Sequence, residues 1–117
     1  MKVPFQDGLG LEVFSKFNAY DKELEMYAKV LPKITQLLYD HNIEADIVPS
    51  TIYVSNSRKA IVFEDLVVKG LKMADRTNGI NKKHAKLLLE KLATFHSASA
   101  VLADKQPNIF QNFEHGY

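Results

Sequence analysis

Phe17, Tyr20, Leu24, Tyr27, Leu31, Ile34 and Leu38 recur at alternating spacings of three and four residues. That interval brings residues onto one face of an α-helix, so it predicts a helix from about Leu11 to Tyr39 with an apolar stripe to bury. The aromatic members of the stripe read as core packing. Lys16, Lys22, Glu25, Lys29 and Gln36 fall off it and form the solvent side. Pro32 interrupts the pattern. Proline has no N–H to return to residue 28, so a kink or two abutting helices is expected, with Pro32 opening the second segment. His41-Asn42 closes the helix. Glu23 sits one position before Leu24, at the edge of the stripe. Two readings fit it: a solvated charge paired with Lys22 or Lys16, or a carboxylate reaching inward.

The stretch Ala60-Ile61-Val62-Phe63-Glu64-Asp65-Leu66 runs four apolar residues straight into two carboxylates. Such a strand leaves a core and meets a ligand or a second lobe at its end, and we read it as a hinge. Before it, Asp46-Ile47-Val48-Pro49 and Thr51-Ile52-Tyr53-Val54 are strand-like and rich in β-branched residues. Ser55-Asn56-Ser57-Arg58 reads as a turn and Lys59 to Phe63 as the returning strand of a hairpin. At the N-terminus, Met1 to Phe5 resembles the end of a strand, and Pro4 stops its pairing or confines it to an edge. Gly8-Leu9-Gly10 is a loop that lacks the third glycine of a phosphate-binding pattern.

After Leu66, the segment Val67 to Met73 fits neither period, and Arg76-Thr77-Asn78-Gly79 is a loop. Asn81 is a good N-cap for a second long helix, with Ile80 able to staple onto Ala85. Ala85, Leu89, Leu92, His96, Ser99 and Ala103 form its stripe, widened by Leu88 and Phe95, and Asp104 and Pro107 end it. His96 lies among small residues that allow close approach of a neighbour. It reads as a hydrogen-bonded core histidine before a catalytic one. The tail from Gln106 to Tyr117 is loop-like with aromatic anchors. The fold class is α+β, in one domain, as the length of 117 residues suggests.

Composition narrows function. A formal net charge of +1 leaves no strong field for nucleic acid or a membrane surface, and neither is expected as a partner. No cysteine is present, which removes disulfides and thiolate-held metals. His41, His84, His96 and His115 have no ligand spacing, so no protein-built metal site is expected. No apolar run approaches the roughly 20 residues of a membrane span, and no signal-peptide pattern opens the chain, so the cytoplasm is the expected compartment.

The order of elements (lysine-bearing strand, helix with an inward-capable glutamate, hairpin, acidic hinge, long helix) is that of the nucleotide cleft of a kinase-like fold. Three motifs sharpen it. Tyr20-x-x-Glu23-x-x-Met26-Tyr27-x-x-Val30-Leu31-Pro32, Ile61-Val62-Phe63-Glu64-Asp65-Leu66 and Lys91-Leu92-Ala93-Thr94-Phe95-His96-Ser97-Ala98-Ser99 resemble the helix, hinge and long-helix signatures of the ecdysteroid kinase-like (CHK kinase-like) family. That family belongs to the choline kinase and aminoglycoside phosphotransferase group. The resemblance covers nearly the whole chain. It implies a partial protein-kinase-like fold, with residues 1–64 as part of a small ATP-binding lobe and 65–117 as the hinge and start of a helical large lobe. It also implies ATP as cofactor with Mg2+ in the full-length family member, and a small-molecule hydroxyl as acceptor. Lys2 matches the lysine on the ATP phosphates and Glu23 the glutamate that pairs with it. Phe63, Glu64, Asp65 and Leu66 match the hinge, whose backbone would read the adenine edge.

The family's His-Gly-Asp loop, its downstream Asn and its Asp-Phe-type metal site have no counterpart in the sequence. His115-Gly116-Tyr117 carries only the first two letters and follows the long helix too soon. The expectation is an internal piece of a small-molecule kinase, holding part of the nucleotide cleft without the catalytic loop, and inactive alone. A non-catalytic interaction module is the alternative, with helix faces left exposed and prone to self-association. An unrelated α+β domain is a third, weaker reading.

Overall fold

The computed structural model describes residues 1–4, 18–44 and 46–113. Phe5, Gly8-Leu9-Gly10, the start of the stripe through Phe17, and His115 to Tyr117 lie outside the described residues. The chain is α+β. Its helices are α1 (Ala19–Glu25), a π-helical turn (Met26–Val30), α2 (Leu31–Asp40), α3 (Lys82–Lys105) and a 3-10 helix (Pro107–Phe113), and its strands are β1 (Thr51–Ser55) and β2 (Ala60–Phe63).

From Ala19 onward the first helical stretch runs as expected, in two α-segments that abut at Pro32, but Asn18, inside the expected span, adopts φ 47° and is not helical. Leu24, Leu31, Ile34 and Leu38 are buried, and Tyr20 and Tyr27 are half-buried. The break takes the form of the π turn, in which the Leu31 N–H reaches the Met26 carbonyl. Pro32 is among the first residues of α2. A wider turn ahead of it gives the ring room against the preceding carbonyls. The π turn also inserts Val30 into the core, fully buried, at a position off the predicted stripe. At the other end, Asn42 adopts φ 55°. The Ile43 N–H reaches the Leu38 carbonyl at 2.9 Å and the Asn42 N–H reaches that of Tyr39 at 3.0 Å. These two bonds form the Schellman closure, and asparagine tolerates the left-handed backbone that it requires.

β1 and β2 pair antiparallel, with Val54 opposite Ile61 and Ser55 opposite Ala60. The expected strand at Asp46–Pro49 is instead a turn and bend. Pro49 has no N–H for a ladder, and Ile47 packs into the helical core. On the free edge of β2, Lys2 forms an antiparallel bridge with Ile61. The Lys2 N–H donates to the Ile61 carbonyl at 2.7 Å, and the Ile61 N–H to the Lys2 carbonyl at 2.9 Å. Ile61 thus sits in the middle of the sheet, and its exposure is 0%.

Asn81 caps α3 as expected, its side chain accepting from the His84 N–H at 2.9 Å. The buried face of α3 differs from the expected one. Ala98 and Leu102, with Phe95 beside them, pack on Val30, Ile34 and Leu38. Leu89 is 64% exposed, and Leu88 and Leu92 are also exposed. His96 is exposed too, so it is not a core histidine. A helix carrying leucines at 87, 88, 89 and 92 offers several apolar stripes of equal period. Which one is used depends on where α2 crosses, and α2 meets the small Ala98, where the helices can approach closely. The tail is a 3-10 helix where a loop was expected, but its aromatic anchors are present: Phe110 and Phe113, with Ile109, pack against the core.

This arrangement separates two leucine-rich faces by energy. Ile34→Ala should cost about 2–5 kcal/mol in urea unfolding, as large-to-small changes in packed cores do. Leu89→Ala should stay within about 0.5 kcal/mol of wild type.

Candidate functional site

Three elements meet around Lys2. Its backbone is held by β2, which directs the side chain toward α1. There the Lys2 Nζ donates to both Glu23 carboxylate oxygens, at 2.6 and 2.7 Å. The pair is partly open to water: the two side chains are 49% and 31% exposed. Glu23 thus reaches across the chain to a lysine 21 residues away in sequence. Tyr20 lies one turn earlier on α1, and its hydroxyl donates to the Lys2 carbonyl at 2.8 Å. Burial, then the Glu23 charge, raises the Tyr20 hydroxyl above its ordinary value. Tyr27, one turn beyond Glu23, sets its ring edge-on to Phe63, 4.9 Å between centroids. Burial raises the Tyr27 hydroxyl as well. One face of the helical stretch thus touches the lysine strand at Tyr20 and Glu23 and the end of β2 at Tyr27.

The end of β2 is fixed by its own carboxylates. The Glu64 N–H donates to the Ser50 carbonyl at 3.0 Å. The Ser50 N–H returns to Glu64 Oε1 at 2.8 Å. Lys69 pairs with the second Glu64 oxygen. Lys69, then the Ser50 N–H, holds the Glu64 carboxyl below its usual range. Asp65 Oδ1 accepts from the Val67 N–H at 2.9 Å and the Val68 N–H at 3.4 Å. An aspartate in this setting builds the turn that follows it. Leu66 gives its carbonyl to the Leu71 N–H at 3.0 Å. Gly70, at φ 80°, supplies the left-handed residue of that turn.

The six residues singled out in the sequence therefore fall into two linked groups. Lys2 and Glu23 are in direct contact. Phe63, Glu64, Asp65 and Leu66 form the continuation of β2, and the Lys2–Ile61 bridge and the Tyr27–Phe63 contact join the groups. Among the described residues, the Glu64 carbonyl and the Leu66 N–H have no hydrogen-bond partner. Neither hinge carboxylate is idle, and no group of three or more His, Asp or Glu able to hold a metal occurs among the described residues. Sequence reasoning overlooked Tyr20 and Ser50 as parts of this arrangement. Tyr20 had a signal, since a residue three before Glu23 shares its helix face. Ser50 had none, because its contact with Glu64 comes from hairpin closure.

Glu64 and Glu25 both titrate lower in the folded chain than in the unfolded one. Each therefore contributes stability above the ordinary glutamate range, about 4.3, and that contribution is lost as pH falls through the folded-state value. Urea midpoints should fall between about pH 6 and about pH 3, and less steeply in Glu64→Gln. An unchanged slope in that variant would remove Glu64 from the explanation.

A model of the ecdysteroid kinase-like family matches residues 1–117. No curated protein matches the chain, and no solved structure does. No helix of the described residues is long and apolar enough to cross a membrane. The family match runs over the whole length, through the contacting Lys2 and Glu23 and the connection after β2, and on that extent this chain belongs to the ecdysteroid kinase-like family.

Proposed function

We propose that this chain supplies part of the nucleotide cleft of an ATP-dependent small-molecule kinase, in which Lys2 meets the phosphates and residues Phe63–Leu66 meet the adenine. The observation that carries the reading is the two-pronged contact of Glu23 on a half-open Lys2 ammonium. A lysine side chain has four rotatable carbons, and alone it would sample many positions. A carboxylate that grips it, itself fixed on a helix, leaves the remaining ammonium proton and the open face of the charge for a phosphate oxygen. The adenine edge offers a donor and an acceptor side by side. The Glu64 carbonyl and the Leu66 N–H complement them, which keeps recognition on the backbone. Phe63, held edge-on by Tyr27, supplies apolar surface beside the ring.

ATP, when bound, supplies the phosphoryl group that a small-molecule hydroxyl would accept. Binding and orienting the nucleotide is what these residues do. Mg2+ belongs to the same reading, but we assign none of this chain's residues to it. The residues 1–64 would then lie on the small-lobe side of the cleft and 65–117 on the large-lobe side, in a cytoplasmic enzyme. Transfer itself is not assigned to this chain, whose sequence holds no His-Gly-Asp motif.

A second reading, a non-catalytic interaction module that self-associates, is favoured by the exposed Val67, Val68, Leu88 and Leu89. Light scattering that finds a strict monomer across concentration would count against it.

The nucleotide reading is tested by calorimetric titration with MgATP. The wild-type chain should bind, and Lys2→Ala should lose about tenfold or more in affinity, the loss expected for a charge-assisted contact of about 1.5–3 kcal/mol. Equal affinity in the two proteins, or no binding at all, would overturn the assignment.

A further inference from the structure

Helix α1 carries three carboxylates, Asp21, Glu23 and Glu25, and each is gripped by a different part of the chain. Glu23 takes Lys2. Asp21 takes Lys59, from the turn of the hairpin, at 2.8 Å. Glu25 takes Asn112, from the 3-10 helix 87 residues away in sequence, whose Nδ2 lies 2.9 and 2.8 Å from the two carboxylate oxygens. Lys29 closes on the same carboxylate at 2.9 Å.

Successive residues of an α-helix are turned by about 100°, so Glu23 and Glu25 leave the axis about 200° apart. Lys2 and Asn112 therefore hold the helix from nearly opposite sides. Such an arrangement fixes rotation about the axis, which neither contact does alone. The helix needs it. With seven residues it is too short to be stable by itself, and it runs into the π turn at Met26–Val30, where one helical geometry gives way to another. Asn112, by contrast, sits on an anchored element. Ile109, Phe110 and Phe113 pack against the core, and Gln106, at the end of α3, meets Lys33 of α2.

We propose that Asn112 is a positioning residue for Lys2: by binding Glu25 it holds α1 in the rotation at which Glu23 reaches the lysine. The consequence is a link between the segment that follows α3 and the candidate nucleotide site, so that displacement of residues 107–113 would release Lys2. The nucleotide part of this inference rests on the function proposed above; the contact between Glu23 and Lys2 does not.

The test reads the pair directly. An ammonium gripped by a carboxylate is a poor nucleophile, so limited acylation followed by mass spectrometry reports on Lys2, with the exposed Lys86 of the same molecule as reference. Asn112→Asp sets a carboxylate against Glu25, and Asn112→Ala removes the donor. Both should raise the Lys2 rate relative to Lys86 by about two- to fivefold, the range set by the coupling of a partly exposed ion pair. Glu25→Gln combined with Asn112→Asp restores a donor and an acceptor facing each other, and should return the rate to that of wild type. A contact that only stabilises the fold would lower the thermal midpoint and leave the Lys2 rate unchanged in folded protein. That result in both single variants, with native circular dichroism, overturns the proposal. MgATP affinity should fall in parallel with the rise in Lys2 rate. Absence of MgATP binding in wild type would defeat the function proposed above, and the acylation result would still decide the role of Asn112.

Discussion

Ile61 is where the parts of this molecule are joined. Its backbone is paired on one side with β1 and on the other with Lys2. Its own N–H and carbonyl both go to Lys2, and its neighbours Ala60 and Val62 are paired with β1, so β2 cannot shift register without breaking several hydrogen bonds at once. The Ile61 side chain, fully buried, makes such a shift costlier still. Everything proposed for Lys2 follows from this. The Lys2 backbone is paired to Ile61 and capped by the Tyr20 hydroxyl, and the centre of the sheet sets where the lysine side chain begins. Two residues further along the same strand, Phe63 opens the connection to the helical part. The lysine and the acidic connection are neighbours because one strand carries both.

The ion pairs around α1 are partly exposed, and exposed pairs contribute little stability, typically about 0–1 kcal/mol each. The cohesion of the helical part lies elsewhere, in Val30, Ile34, Leu38, Ala98 and Leu102. The carboxylates of α1 are better understood as setting orientation. Three of them on one short helix engage the lysine strand, the hairpin turn and the tail. Each contact is weak, yet together they specify one rotation of a segment whose own hydrogen bonding is interrupted at the π turn.

Glu64 and Asp65 show how acidic residues beside a candidate site can be structural. Adjacent carboxylates at the end of a strand invite a reading as metal ligands or proton donors. Here Glu64 closes the hairpin base through Ser50 and Lys69, and Asp65 shapes the turn into the following segment. Their work leaves the backbone of the connection as the surface available to a ligand.

Much of this was legible in the residues. The stripe from Tyr20 to Leu38, the break at Pro32, the Asn81 cap, the hairpin and the family motifs all rest on local rules, because helix period, proline chemistry and capping act within a few residues. The same rules could not choose among the stripes of α3, nor assign His96 to the surface, nor find the contacts of Ser50 with Glu64 and Asn112 with Glu25. Those depend on where distant segments cross. The chain's order of residues was enough to say which segments are helical or extended, and it left two readings open for Glu23. The partner it found, Lys2, and the rotation that lets it reach that partner, came from a sheet edge and a tail brought together from opposite ends of the chain, since long-range packing carries information that no local period contains.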